Sequence, residues 1–197
     1  MKRMLDLYSG LGGASEAFVK ANWEVHRLDN NVLLKEVPHT QITDVESWRF
    51  SDIPPGYYDF IWASPPCIEF SDAYSSPKSK AKRDGENYEP NMNLVNRAME
   101  IISLLKPEHY VIENVRGSNQ YITKALQMPP RQIVGQYYFW GKFPFIHIDV
   151  NWRHSKYDKD PWSSDPLRAN YRAKIPMEIS KAFLDALTNQ TTLEEWI

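Results

Sequence analysis

The sequence lacks several features that would assign a protein to a class at once. Its 197 residues include a single cysteine, so no disulfide can form within the chain, which favours a reducing compartment. No apolar run approaches the length that spans a bilayer, and the amino-terminal residues lack the apolar core of a signal peptide. We therefore expect a cytoplasmic protein without a membrane partner.

An excess of positive charge is also missing. The chain has 23 Lys and Arg against 25 Asp and Glu, so no global field attracts nucleic acid. A local basic cluster is present, formed by Lys78, Lys80, Lys82 and Arg83. It is either a solvated surface loop or a clamp for phosphate groups on a loop that closes over a substrate.

The order of the apolar segments predicts an α/β fold, because strand-like segments alternate with segments of helical period. The predicted strands cover residues 4–8, 23–28, 40–45, 58–63 and 109–112, and the predicted helices cover residues 14–21, 30–37, 93–105, 121–126 and 176–187. We expect a mostly parallel sheet with helices on both faces. An antiparallel edge hairpin is predicted from strands 132–140 and 143–150, and a long irregular loop over residues 68–90.

The one cysteine, Cys67, follows a strand-like segment and the run Ser64-Pro65-Pro66. Proline cannot donate to a sheet ladder, so the prolines end the strand and deliver the thiol to the mouth of the sheet. Ligands bind at this edge in open α/β sheets. A lone cysteine is more often a small buried hydrophobic residue, but this setting suits a nucleophile.

A glycine-rich turn, residues 9–13, joins the first predicted strand to the first helix. Glycine lets the backbone approach a ligand closely, and the helix behind it offers unpaired N–H groups. Asp29 closes the second strand, where an acidic residue can bind ribose, and Asp44 closes the third. These residues indicate a site for a nucleoside-bearing cofactor, and the alternative is plain packing of strand against helix. The turn lacks the Lys-Ser/Thr ending of a P-loop, which argues against an NTPase.

Glu113 ends another apolar segment, so we expect partial burial to raise the pKa of its carboxyl, as suits a proton donor. Taken alone, Glu113 is better explained as a helix cap or an ion-pair partner. A thiol and a carboxyl at the ends of neighbouring strands favour the catalytic interpretation.

Three motifs in this order resemble the cytosine-5 DNA methyltransferases: Asp-Leu-Tyr-Ser-Gly-Leu-Gly-Gly at 6–13, Pro-Pro-Cys-x-x-Phe-Ser at 65–71 and Glu-Asn-Val at 113–115. The segment 172–180 resembles the ends of compact phage and archaeal-type members. The resemblance implies a Rossmann-like, S-adenosylmethionine-dependent methyltransferase fold in a prokaryotic, phage or archaeal setting. It further implies a single domain over residues 1–197, in which a closing helix at 172–188 completes the cofactor domain.

The resemblance also implies roles for individual residues, and no metal. S-adenosylmethionine would lie over the glycine turn and leave as S-adenosylhomocysteine. The residues implied to hold it are Asp6, Tyr8, Ser9, Gly10, Leu11, Gly12, Gly13, Asp29, Asn30, Asp44, Val45 and Pro65. Cys67 would attack carbon 6 of a flipped or single-stranded cytosine in DNA, and Glu113 would hold nitrogen 3 and the exocyclic amine. The residues implied to contact the substrate are Ser64, Pro66, Ser71, Lys78, Lys80, Lys82, Arg83, Asn114 and Arg131.

The sequence departs from the family pattern in two places. Residues 145–171 are too few for the large target-recognition domain of typical members, and the Gln-x-Arg-x-Arg pattern whose arginine holds oxygen 2 is missing. Arg131 or Gln132 could replace that arginine. Residues 151–155 with Trp162 could form a minimal reading surface or simply cover the sheet end.

These departures leave alternatives open. Sequence specificity could be low, or a partner subunit or oligomer could supply recognition. The substrate could be RNA or single-stranded DNA instead of duplex DNA. The chain could also be a catalytically weak module that binds the cofactor or a partner.

Overall fold

The computed structural model describes residues 1–149, 152 and 164–189. Its strands are β1 Arg3–Leu7, β2 Glu24–Asp29, β3 Thr40–Ile42, β4 Phe60–Ala63, β5 His109–Val115, β6 Gln132–Val134 and β7 Tyr137–Lys142. They form one sheet in the order β3-β2-β1-β4-β5-β7-β6. The first five strands pair in parallel, and β7 pairs antiparallel with both β5 and β6. The predicted α/β class, with a mostly parallel sheet and an antiparallel edge hairpin, is confirmed.

Helices lie on both faces of this Rossmann-like sheet. They are α1 Glu16–Lys20, α2 Pro77–Asp84, α3 Asn93–Leu105, α4 Asn119–Leu126, α5 Arg168–Ala173 and α6 Met177–Thr188. Short 3-10 helices cover Val32–Leu34, Cys67–Glu69 and Arg116–Ser118. Within the described ranges, no helix has the length and apolar character needed to cross a membrane.

Two apolar clusters hold the sheet between its helices. Successive side chains of a strand point to opposite faces, so Leu5 joins the cluster that contains α3, whereas Met4 joins the cluster that contains α1 and α6. All of β4, Phe60–Ala63, is buried, because a central parallel strand is covered on both sides. The carboxyl ends of the parallel strands therefore meet at one edge of a rigid layer.

The predicted long loop at 68–90 is wrong in part, because α2 lies inside it. Ser76 caps this helix by accepting from the Ser79 amide at 3.2 Å, Pro77 occupies its first turn, and Gly85 ends it with φ +73°. The start and stop signals were readable, but the segment is basic and buries only Ala81, so it has almost no apolar period.

The edge hairpin exists, but its predicted strands and turn are wrong. All of β6 and most of β7 lie within the first predicted strand, and the turn is at residues 135–136, where Gly135 has φ +59°. Gly141 lies inside β7 with φ +134°, where a Cβ would come within 2.4 Å of the Tyr110 carbonyl oxygen. That glycine permits a close approach of two strands and does not make a turn.

Residues 143–149 form no strand. The side-chain amide of Gln132 nevertheless acts like a strand partner for this segment. Its Nε2 donates to the Ile146 carbonyl at 2.8 Å, and its Oε1 accepts from the Ile146 amide at 2.9 Å. The β5 boundary also differs from the prediction, since the strand runs through Val115 and includes Glu113.

The closing helix α6 is attached to α1 through a buried serine. Ser180 is fully buried; its Oγ donates to the Ala14 carbonyl at 2.7 Å and accepts from the Ala17 amide at 3.0 Å. These bonds join the end of the described chain to the helix that follows the glycine turn. They agree with the prediction that the closing helix completes the cofactor domain, a division of the chain that stays a prediction.

We expect Ser180→Ala to lower the free energy of unfolding by about 1–3 kcal/mol, because it leaves a buried amide and carbonyl without this partner. Urea unfolding measures the change. Ser51→Ala is the matched control, since Ser51 is exposed and its Oγ donates to the side chain of the neighbouring Asp52 at 3.2 Å. Equal transition midpoints for the two variants would contradict this role of Ser180.

Candidate active site

The glycine turn is held in place by the carboxyl half of β2. Each of three consecutive residues of β2 forms one hydrogen bond with the turn. The bonds join Arg27 Nη2 to Gly12 O at 3.1 Å, Leu28 O to Ser9 N at 3.1 Å, and Asp29 Oδ2 to Gly10 N at 2.8 Å. The turn is therefore shaped before any ligand arrives.

Arg27 is a buried arginine that the sequence reasoning missed. It is 5% exposed, and its guanidinium also donates to Ser15 Oγ and to the Pro38 carbonyl, both at 2.8 Å. Ser15 Oγ in turn donates to Asp6 Oδ2 at 2.5 Å. Burial lowers the pKa of Arg27, and the nearby Asp6 carboxylate opposes that change. No clear signal marks Arg27 in the sequence, because β2 also contains other polar residues, namely Glu24, His26 and Asp29.

Gly12 is required where it stands. Its φ is +71°, and a Cβ there would lie 2.4 Å from Cζ of Arg27. Gly13 has a different reason, since its Cβ would meet the Ile175 carbonyl oxygen at 2.4 Å. Gly12 thus makes room for the guanidinium, and Gly13 makes room for the backbone that leads into α6.

Two buried polar atoms beside the turn have no hydrogen-bond partner within the described residues. They are Asp6 Oδ1 and Ser9 Oγ, and Asp6 is fully buried while Ser9 is 8% exposed. Buried polar atoms in native proteins are normally paired, so unpaired ones next to a glycine cradle fit a site that receives a polar ligand.

The other residues assigned to the cofactor lie around this turn in different environments. Tyr8 has φ +59°, and its hydroxyl donates to the Leu94 carbonyl of α3 at 2.9 Å. Asn30 and Asp44 are exposed, and Asp44 Oδ1 accepts from the Glu46 amide at 2.9 Å. Val45 is 3% exposed and packs in the core. Leu11 is half-buried and Pro65 is buried.

Asn170 on α5 is a further residue that the sequence reasoning missed. Its Oδ1 accepts from Asn31 Nδ2 at 3.4 Å, and its Nδ2 lies 3.7 Å from the position of a Cβ on Gly10. The contact spans most of the chain, and α5 begins inside residues 145–171, where the sequence analysis predicted no helix. No local sequence signal pointed to it.

Cys67 follows β4, and Glu113 lies near the carboxyl end of the neighbouring parallel strand β5. Strands β4 and β5 pair with Ala63 opposite Ile112, so both residues come to the carboxyl edge of the sheet. Cys67 is half-buried and begins a 3-10 helix, and Glu113 is 8% exposed. The edge therefore presents a thiol and a carboxyl.

Asn114 connects these two segments. Its Nδ2 donates to the Pro65 carbonyl at 2.9 Å, and its Oδ1 accepts from the Val115 amide at 2.9 Å. On β7, burial raises the pKa of Tyr137 to about 12, and the Glu113 charge adds to that shift. The charge of Glu113 is therefore felt across the antiparallel strand pair.

The segment after Cys67 is folded back onto the cysteine turn, against which α2 packs. Ser76 Oγ donates to the Ser71 carbonyl at 2.5 Å, and Lys78 Nζ pairs with Asp72 at 2.8 Å. Of the other predicted substrate contacts here, Lys80, Lys82 and Arg83 are exposed. Ser64 Oγ accepts from Trp62 Nε1 at 2.7 Å, and Pro66 is exposed.

Glu69 holds a second loop against the same turn. Its Oε2 accepts from the Tyr88 hydroxyl at 2.7 Å and from the Asn91 amide at 3.0 Å. These bonds lower the pKa of the Glu69 carboxyl, with the Asn91 amide contributing most. The turn that carries Cys67 is therefore held by the bonds of Glu69 to a second loop and by the packing of α2.

Arg131 and Gln132, proposed substitutes for the missing arginine, lie on the edge hairpin. The Arg131 guanidinium stacks over Phe145 at 4.7 Å from the ring centroid, and the Gln132 amide is engaged by Ile146. The stretch 151–155 and Trp162, apart from Trp152, lie outside the described residues.

Comparison with known families now becomes informative. The family model for C-5 cytosine-specific DNA methylases matches residues 2–125. The chain belongs to this family. The predicted membership is confirmed, and so is the predicted cofactor, since S-adenosylmethionine is the methyl donor of these methyltransferases.

Similar proteins include both DNA and RNA enzymes. A probable DNA (cytosine-5)-methyltransferase of Frog virus 3 is 32% identical over 133 residues, which are 62% of this chain and 58% of that protein. A human tRNA (cytosine(38)-C(5))-methyltransferase is 28% identical over 136 residues, 63% of this chain and 33% of that protein. The methylase chain thus spans less than two-thirds of either relative.

Solved structures similar to this methylase include a putative DNA modification methyltransferase encoded within an E. coli prophage. The TM-score is 0.46 at 20% identity, over 72% of this chain and 47% of that one. For the S. pombe Dnmt2 methyltransferase the TM-score is 0.43 at 21% identity, over 64% and 40%.

The buried carboxyl of Asp6 predicts a pH-dependent stability. Burial raises its folded-state pKa from 3.8 to about 6, so the unfolded chain loses this proton first as the pH rises. Between pH 4 and pH 7 the folded state then has to bury a charge, which lowers the free energy of unfolding by about 3 kcal/mol.

Asp6→Asn removes this contribution while it keeps the shape of the side chain. Urea unfolding at intervals of pH should show the wild type losing stability relative to Asp6→Asn over that window. Other groups titrate in both proteins and cancel in the difference. Parallel stability curves would show that folding leaves the pKa of Asp6 unchanged, which would contradict this prediction.

The clash between a Cβ at position 12 and Arg27 can be separated from backbone strain by comparison with a second glycine. Gly56 has φ +79° and open space around its Cβ position, so Gly56→Ala should cost about 1 kcal/mol of backbone strain alone. Gly12→Ala carries the same strain and also displaces the guanidinium, and we expect it to cost about 2 kcal/mol more. Equal losses of unfolding free energy in the two variants would show that the Arg27 side chain moves aside without a measurable cost.

Proposed function

We propose that the chain transfers a methyl group from S-adenosylmethionine to carbon 5 of cytosine in DNA through a covalent adduct with Cys67. The observation that carries this proposal is the parallel pairing of β4 and β5, with Asn114 bonded to Pro65 between them. This pairing assembles the Pro-Pro-Cys turn and Glu113 at the edge of the sheet that also carries the glycine turn.

The glycine turn is the proposed cofactor site. S-adenosylmethionine supplies an electrophilic methyl group when it is bound. The unpaired Ser9 Oγ and the backbone of residues 9–13 would hold its amino-acid end, with Asp29 and Asp44 toward the nucleoside. Since Asp29 Oδ2 already bonds Gly10, Asp29 would fix the turn and contact the ribose with the same carboxylate.

Cys67 is the proposed nucleophile. Its thiolate attacks carbon 6 of cytosine and forms a carbon–sulfur bond, and the ring electrons move to carbon 5, which becomes nucleophilic. Carbon 5 would take the methyl group from S-adenosylmethionine, which would leave as S-adenosylhomocysteine. A base removes the proton of carbon 5, the electrons of that C–H bond restore the ring double bond and expel the thiolate, and nitrogen 3 returns its proton to Glu113. Attack needs access to the face of the ring, so the cytosine must be unstacked.

Glu113 is proposed to hold the base during the addition. A protonated Glu113 carboxyl would donate to nitrogen 3 and its other oxygen would accept from the exocyclic amine. Transfer of that proton to nitrogen 3 neutralises the charge that the thiolate brings into the ring. Glu113 is buried, so it would make these bonds with little competition from water.

A second candidate is an RNA cytosine-5 methyltransferase, which the similarity to the human tRNA enzyme favours. The basic cluster lies on one helix of a chain with net charge −2, so either nucleic acid would be held by few phosphate contacts. Recognition by a partner subunit or a second copy stays a prediction.

We expect Cys67→Ser to abolish methyl transfer, with a loss of at least about a thousandfold, because an alcohol is a far weaker nucleophile than a thiolate. The protein is incubated with labelled S-adenosylmethionine and duplex DNA, single-stranded DNA or tRNA, and the digested nucleosides are scored for 5-methylcytosine. Glu113→Gln should lose about a hundredfold or more. Ser51→Ala serves as the matched active control.

The adduct itself can be trapped with 5-fluorocytosine, because fluorine cannot leave carbon 5 as a proton does. Wild type should form a stable protein–oligonucleotide species in the presence of S-adenosylmethionine, and Cys67→Ser should not. Methylation of tRNA alone would favour the second candidate. Cofactor binding without product on any substrate would leave only the binding module.

A further inference from the structure

The loop between Cys67 and α2 exposes a tyrosine that is held by an arginine. The Tyr74 side chain is 80% exposed, and Cζ of Arg83 lies 3.9 Å from the centroid of its ring. Arg83 Nη1 also donates to the Tyr74 carbonyl at 2.8 Å. The guanidinium thus covers one face of the ring, and the opposite face is open to solvent.

The loop that carries Tyr74 is closed by hydrogen bonds between its ends. Ser76 Oγ donates to the Ser71 carbonyl at 2.5 Å, and the Ser76 amide donates to the Ala73 carbonyl at 2.9 Å. The Ala73 amide donates to Ser71 Oγ at 3.1 Å. An aromatic ring on a closed loop loses little conformational freedom when it binds, which favours its use as a contact surface.

This ring lies close to the proposed nucleophile. Tyr74 is seven positions after Cys67, a stretch that spans at most about 25 Å when fully extended, and the closed loop makes it shorter. In addition, α2 packs against the 3-10 helix Cys67–Glu69. A nucleotide that flanks a cytosine at Cys67 is therefore within reach of Tyr74.

Charge on the same helix favours a nucleic-acid strand as the occupant. Lys80 and Lys82 are exposed on α2, next to Arg83 in the chain. An exposed aromatic ring beside cations that can track a backbone is the pattern used to bind unpaired strands, because bases stack on the ring and phosphates meet the cations.

We propose that Tyr74, backed by Arg83, is a stacking platform for an unpaired base that flanks the target cytosine in single-stranded DNA. The inference rests on the proposed function. In an intact duplex both faces of a flanking base are covered by its neighbours, so the ring has no free base to stack on. The platform therefore selects a substrate that is unpaired around the target.

The test measures binding of short single-stranded DNA in the absence of S-adenosylmethionine, so that no turnover occurs. Tyr74→Ala should weaken binding about tenfold or more, while the slope of affinity against salt stays unchanged, because no phosphate contact is lost. Tyr74→Phe should bind like wild type, and Tyr74→Leu should weaken like Tyr74→Ala. The matched control is Tyr171→Ala, an exposed tyrosine on α5 that is 58% exposed.

An abasic residue placed at successive positions beside the cytosine locates the contact. Wild type should lose affinity at one flanking position, and Tyr74→Ala should be insensitive to the same change. Unchanged affinity of Tyr74→Ala, or an equal loss on fully paired duplex, would overturn the platform. Tighter binding of tRNA than of single-stranded DNA, still dependent on Tyr74, would overturn the assignment to DNA.

The two proposals fail in distinguishable ways. If Tyr74→Ala loses binding but the wild type methylates no substrate, the proposed function fails and the stacking platform stands. Methylation of DNA by wild type with unaltered binding by Tyr74→Ala would do the reverse. Urea unfolding of Tyr74→Ala checks that this exposed change leaves the fold intact.

Discussion

The guanidinium of Arg27 is the interaction on which the geometry of the cofactor end depends. It joins three parts of the chain: the Gly12 carbonyl of the turn, Ser15 ahead of α1, and the Pro38 carbonyl before β3. Ser15 Oγ also contacts the Gly12 carbonyl directly, at 3.4 Å. A buried charge is costly unless every donor is engaged, and here the guanidinium gives hydrogen bonds from all three of its nitrogens. The same charge stabilises Asp6 through Ser15, so the turn, its helix and the edge of the sheet form one unit.

The edge that carries the proposed nucleophile is organised by different means. Cys67 lies on a turn that is fixed by neutral hydrogen bonds and by Glu69, while the carboxyl of Glu113, proposed to hold the base, comes from the adjacent strand. Parallel pairing supplies the alignment, because strands in register end at the same level. The fold thus separates the support for the methyl donor from the support for the thiol, and β1 and β4 connect the two through the middle of the sheet.

The features that could be predicted from the sequence are those that produce a local pattern of residues. Apolar segments located the parallel strands, and helical period located α3. The motifs around Cys67 and Glu113 located the edge of the sheet where these two residues meet. Helix α2 was missed because its side chains are mostly solvated. The turn of the hairpin was misplaced because Gly141 serves a close approach to Tyr110 that only tertiary structure reveals. Arg27 and Asn170 act through partners distant in the chain, and a single sequence carries no signal for such pairs.

The bonds of Glu69 have a further consequence when they are read together with Tyr8. Asn91, bonded to Glu69, and Leu94, whose carbonyl accepts from the Tyr8 hydroxyl, are only three residues apart at the start of α3. One short stretch of backbone is therefore anchored to the cysteine turn at one end and to the residue that precedes the glycine turn at the other. The start of α3 thus links the cysteine turn to the glycine turn by a second route, on the helical layer, in addition to the pairing of β1 with β4.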